Sequence, residues 1–71
     1  MDAKRNFKIF LVSEDGTEKN LWSRKASETS MRAKLKELIL SQREKYEKDK
    51  EPCKIRVYDE NGFIIAEESF H

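Results

Sequence analysis

The stretch SETSMRAKLKELILSQREKYEKDK, residues 27–50, decides how the rest of the chain is read. Met31, Leu35, Leu38, Ile39 and Tyr46 recur with Gln42 along one arc about 100° wide, which is the signature of a helix with a single apolar stripe. Ser27 has the side chain of an N-cap, and Glu28 follows in the first turn, where the helix dipole favours a carboxylate. Lys48 and Lys50 suit the opposite end, and Pro52 biases Glu51 away from helical angles. The pattern predicts a helix over 28–50. A helix with one apolar stripe needs a flat partner, and the flanking segments must supply it.

Those flanks alternate with a period of two. Strands are expected over 6–13, 17–24, 53–59 and 63–70, with residues 1–5 as a flexible tail of one 71-residue domain. Asp15-Gly16 and Asn61-Gly62 are turn signals, because both dipeptides accept the positive φ angles of a type I′ hairpin. Two-residue loops would place Ile9 opposite Trp22 and Phe10 opposite Leu21. They would also place Arg56, Val57 and Tyr58 opposite Glu67, Ala66 and Ile65. A bulged three-residue loop would shift either register. The order is ββαββ, an α+β fold in which a four-stranded antiparallel sheet carries one helix across one face. The order of strands within that sheet stays open.

Alternation sorts the strand residues into two sets. Phe7, Ile9, Leu11, Trp22, Cys53, Ile55, Val57, Ile64, Ala66 and Phe70 form the more apolar set and are assigned to the helix. The other face holds Phe10, Val12, Leu21, Tyr58, Phe63 and Ile65 among Lys8, Lys19, Lys54 and Arg56, with no second helix to cover it. An uncovered patch of that kind marks an interaction surface, although cross-strand pairing can also stabilise scattered apolar residues on an open sheet. Phe10, Leu21, Tyr58, Phe63 and Ile65 are therefore the candidate protein interface, with Lys8, Lys19 and Arg56 as rim charges.

Fifteen basic and fourteen acidic residues leave a net charge of +1, which argues against a strongly basic nucleic-acid binder and against an acidic nucleic-acid mimic. The lone Cys53 excludes an internal disulfide, no apolar run approaches a membrane span, and the first residues lack the apolar core of a signal peptide. A cytoplasmic protein is expected. One Cys and one His, the latter at position 71, make neither a zinc site nor an ordered general base. Gly16 and Gly62 are both used in turns, so no phosphate-cradling loop exists. Neither an enzyme nor a cofactor is expected.

The rival reading is nucleic-acid binding. Bases could stack on Phe10, Tyr58 and Phe63, and phosphates could meet Lys8, Lys19, Arg56 and a helix stripe of Arg32, Lys36 and Arg43. A basic stripe is also a common solvated helix flank.

The closing stretch Val57-Tyr58-Asp59-Glu60-Asn61-Gly62-Phe63-Ile64, with Glu67-Glu68-Ser69-Phe70, resembles small bacterial and phage ββαββ proteins of unknown function in which a glycine-containing hairpin ends the chain. Size and lack of catalytic chemistry also look like small phage inhibitors, anti-CRISPR proteins among them. That resemblance implies a host protein as partner and transfers no functional residue. The expectation is a non-enzymatic protein-interaction module, a homodimer or an inhibitor of a host protein, acting through the open sheet face.

Overall fold

The computed structural model describes residues 3–71. Strands β1 (Arg5–Ser13) and β2 (Glu18–Ala26) precede helix α1 (Glu28–Asp49), and β3 (Cys53–Tyr58) and β4 (Ile64–Phe70) follow it. The sheet is antiparallel throughout, in the order β2-β1-β3-β4. The expected ββαββ architecture is the observed one. The tail expected over residues 1–5 lies partly outside the described residues, and Arg5 already belongs to β1.

The helix begins and ends on local signals. Ser27 Oγ accepts the Ser30 backbone N–H at 3.1 Å. At the other end Lys50 adopts a left-handed conformation (φ 56°), and its N–H donates to the Tyr46 carbonyl at 2.7 Å. The chain thus leaves the helix at Lys50, two residues before Pro52. The Asp49 carboxylate then accepts the Glu51 N–H at 3.0 Å.

The helix lies obliquely on the sheet. Its first half borders β2, where Ala33 and Lys34 share a hollow with Trp22. Its second half reaches β3 and β4, where Gln42 donates to Cys53 Sγ at 3.2 Å and Tyr46 meets Phe70 with ring centroids 6.1 Å apart. Phe7 and Ile9 from β1, Ile55 and Val57 from β3, and Met31 from the helix are fully buried, and Phe70 nearly so. Leu11, Trp22, Leu35, Leu38, Ile39, Cys53 and Ala66 pack around them, half-buried. Trp22 was expected beneath the helix opposite Ile9; it is opposite Ile9 but keeps one side open.

Both hairpins depart from the two-residue loop in the same way. Gly16 N–H donates to Ser13 O at 2.9 Å, and Ser13 N–H donates to Thr17 O at 2.8 Å. Gly62 N–H donates to Asp59 O at 3.1 Å, and Asp59 N–H donates to Phe63 O at 3.0 Å. Each loop is therefore three residues, 14–16 and 60–62. Within each, only the glycine has positive φ, 90° at Gly16 and 82° at Gly62. This is a type I turn followed by a left-handed glycine. Ser13 and Asp59 occupy the first turn position, which favours Ser, Asp and Asn, and that was the signal for this turn type in the sequence.

The extra loop residue shifts the register by one, which left uncorrected would turn every later side chain to the wrong face. Each hairpin corrects it with a β-bulge. In the first, Phe10 pairs with Asn20 and Ile9 with Trp22, leaving Leu21 as the additional residue. In the second, Tyr58 pairs with Ile64 and Val57 with Ala66, leaving Ile65. The expected pairs Ile9–Trp22, Val57–Ala66 and Arg56–Glu67 therefore form, whereas Phe10–Leu21 and Tyr58–Ile65 do not. Three face assignments change for the same reason. Phe63, expected on the open face, sits opposite Asp59 on the helix side. Ile64 sits opposite Tyr58 on the open face, and Lys19 sits opposite Leu11 on the helix side.

The second turn is tied down from several sides. The buried Asp59 carboxylate accepts the N–H groups of Asn61 and Phe63, both at 2.9 Å, and lies 3.6 Å from the Arg5 guanidinium. Two substitutions separate core from surface in urea unfolding. Phe7→Ala is expected to cost about 3–5 kcal/mol, whereas Phe63→Ala at the exposed turn exit should change stability by less than about 1 kcal/mol. Asp59→Ala is expected to cost about 1–3 kcal/mol, because it strips two backbone donors of their acceptor.

Candidate functional site

The face away from the helix is not the apolar plain that alternation suggests. Its centre is a ladder of polar and aromatic groups crossing all four strands. Arg56 on β3 holds Glu67 on β4 through Nε at 2.8 Å, and its Nη1 donates to the Tyr58 hydroxyl at 3.2 Å. That hydroxyl donates to the Glu18 carboxylate on β2 at 3.2 Å, and Glu18 lies 4.0 Å from Arg56. Lys54 approaches Glu67 at 4.0 Å. The Phe10 ring on β1 meets Tyr58 edge-on at 5.5 Å and 80°.

These contacts change the character of the face. Val12 faces away from the helix yet is only 7% exposed; its strand neighbours are Glu18 and Lys54. The Arg56 side chain is 19% exposed. The Tyr58 and Glu67 hydrogen bonds push the Arg56 pKa above its already high value, so its charge is permanent. The Arg56 bond holds the Glu67 carboxyl below the usual range. Arg5 does the same for Glu60, through Nε bonds of 3.2 and 3.1 Å to its two oxygens.

The five candidate interface residues are therefore divided. Phe10 and Tyr58 pack on one another in the middle of the face, both half-buried. Leu21 is the bulge residue of β2, at one edge. Ile64 and the bulge residue Ile65 begin β4, the opposite edge, and Phe63 just before them sits opposite Asp59 and so on the helix side of that edge. Phe63, Ile64 and Ile65 are 67%, 53% and 38% exposed, three consecutive large apolar residues open to water. A shallow hollow lined by Asn6, Lys8, Phe10, Tyr58, Glu60 and Gly62 adjoins them. Ile64 was assigned to the helix side, and its place here follows from the three-residue turn.

The candidate cations divide as well. Lys8 borders the hollow. Lys19 lies on the helix side of β2. Arg32 pairs with Glu28 at 3.5 Å, and Arg43 with Glu68 on β4 at 3.7 Å, so of the proposed helix stripe Lys36 alone has no carboxylate partner among the described residues. Arg56 is held inside the ladder. Sequence reading missed Glu18, whose place in the ladder depends on the shifted register near the first turn.

Cys53 behaves as a small core-edge residue. Burial pushes its thiol up, away from the reactive thiolate form, and Gln42 caps the sulfur.

No protein-family model matches the chain, and neither a curated protein nor a solved structure matches it.

The lowered carboxyls of Glu60 and Glu67 make stability acid-sensitive. A carboxyl lowered in the folded state contributes its stability above the unfolded value, about 4.3 for glutamate, and loses it as pH falls through the folded value. Urea midpoints should therefore drop on acidification below about pH 4.3, and Glu67→Gln should lower the midpoint at neutral pH and flatten that drop.

Proposed function

We propose that the chain is a non-enzymatic protein-interaction module whose binding surface is the β4 edge, where Ile64 and Ile65 adjoin the Phe10–Tyr58 hollow and Phe63 stands on the helix side of the same edge. The observation that supports this reading is the run of three exposed apolar residues at the start of an edge strand. Edge strands expose unpaired backbone groups, and proteins usually guard them with lysine, proline or a bulge. β2 is guarded by Lys19, Lys25 and the bulge at Leu21. β4 has a bulge but no lysine, arginine or proline, and its bulge residue Ile65 is itself exposed and apolar. Binding would cover this corner and recover about 25 cal/mol for each Å² of apolar area removed from water.

Aromatic and aliphatic anchors near the centre of a patch dominate such binding, and neighbouring charges tune encounter. Phe63 and Ile64 are the anchors; Lys8 and Glu60 are the rim. Phe10 and Tyr58 support the hollow's floor from within the ladder. The partner is a protein surface with a matching apolar patch, either a second copy or a host protein, as the resemblance to small phage inhibitors suggests.

The test compares wild type with Phe63→Ser/Ile64→Ser. Both positions are exposed, so circular dichroism and the urea midpoint should hardly move. Sedimentation equilibrium measures self-association, and quantitative capture from a host lysate measures hetero-association. Whichever complex the wild type forms should weaken at least about tenfold in the double variant. An association that survives the double change places the interface elsewhere and overturns the reading.

A further inference from the structure

The opposite edge of the molecule has the reverse character. Four of its arginines, Arg5, Arg32, Arg43 and Arg56, each have a carboxylate within ion-pair distance. Arg24 has none among the described residues; its guanidinium instead lies 5.9 Å from the centroid of the Trp22 ring. The two border a hollow between β2 and the first half of α1, shared with Lys4, Lys25, Lys34 and Glu37. Glu37 is the only carboxylate there among the described residues, and Lys34 binds it at 3.2 Å. Among the described residues, Lys4, Arg24 and Lys25 are thus three cations without a carboxylate partner around a half-exposed indole, in a chain whose net charge is only +1.

We propose that this hollow is a binding site for single-stranded nucleic acid, independent of the apolar corner on β4. Two features of the site fit that ligand together. The Arg24 guanidinium lies over the Trp22 ring, and a guanidinium plane layered on an indole offers a polarisable surface on which a base can stack, while flanking cations track a sugar-phosphate backbone. The cations come from the start of β1 and the end of β2, which pair as neighbouring strands at Arg5 and Ala26, so they lie along one rim rather than around a point. An acidic peptide would use the cations and leave the indole unused. A duplex would bury its bases from it.

Trp22 is the only tryptophan, so it reports on its own site. An oligothymidylate about ten nucleotides long, titrated at low salt, should quench Trp22 emission, and a labelled copy should gain anisotropy over the same range. With three cations engaged, affinity should fall roughly 20-fold between about 50 and 200 mM salt, a log–log slope near −2. Arg24→Glu/Lys25→Glu, on an exposed edge strand, should weaken binding at least about tenfold with the circular dichroism spectrum unchanged. Lys36→Glu/Lys45→Glu alters net charge equally on other helix flanks and should stay within about threefold of wild type. The proposal is overturned by any of four results: no quenching and no anisotropy change at low salt; equal losses in the two variants; a salt slope near zero; or competition by polyglutamate or anionic vesicles as effective as that by unlabelled oligonucleotide.

Discussion

One helix is narrower than four strands. A helix with its side chains is about 10–12 Å across, and the outer strand axes of a four-stranded sheet lie roughly 14 Å apart before their own side chains are added. α1 can therefore seal only the middle of the sheet. The four strand residues it buries completely, Phe7, Ile9, Ile55 and Val57, all belong to the two central strands. Trp22 and Ala66 on the edges are only half-covered. The oblique path of the helix widens the effect, leaving Phe63 bare beside the start of β4, while Ile64 lies on the face the helix never covers. The Trp22 hollow and Phe63 lie where this cover runs out.

The far face has no helix and solves its exposure differently. Arg56, Tyr58, Glu18 and Glu67 are linked across the strands by charge-assisted hydrogen bonds, and the ladder crosses the face beside Phe10 and Val12. Exposed ion pairs contribute little singly, and networks of good geometry contribute more. The ladder also removes the most central aromatic residues from the pool available to a partner. That is why the exposed apolar surface is at the β4 edge rather than in the middle of the sheet.

The two bulges connect these features. Each hairpin takes a three-residue turn, which costs one step of register, and each returns that step with an extra residue, Leu21 or Ile65. Between turn and bulge the side chains lie on the faces that a two-residue loop would have reversed. This puts Glu18 within reach of Tyr58 and Ile64 on the open face, and sends Lys19 to the helix side. Beyond the bulge, Trp22, Ala66 and Phe70 return to the core.

What the amino-acid sequence determined alone is what depends on neighbours along the chain. Helix periodicity, the Ser27 cap, the positions of both turns and the helix-facing alternation of Phe7, Ile9, Ile55 and Val57 are all local, and each could be read. The turn type was also readable, through Ser13 and Asp59 at the first turn position. The bulge positions were not, because they answer to packing against the helix several residues away. Strand order left no readable trace: β4 is as apolar as β1, yet β1 and β3 take the centre, where the helix covers them best. Only the tertiary structure decided that Val12 is buried, that Arg56 is held in a ladder, and that Arg24 alone among the arginines lacks a carboxylate among the described residues. Each of these depends on which distant strands become neighbours, and period-two alternation carries no information about that.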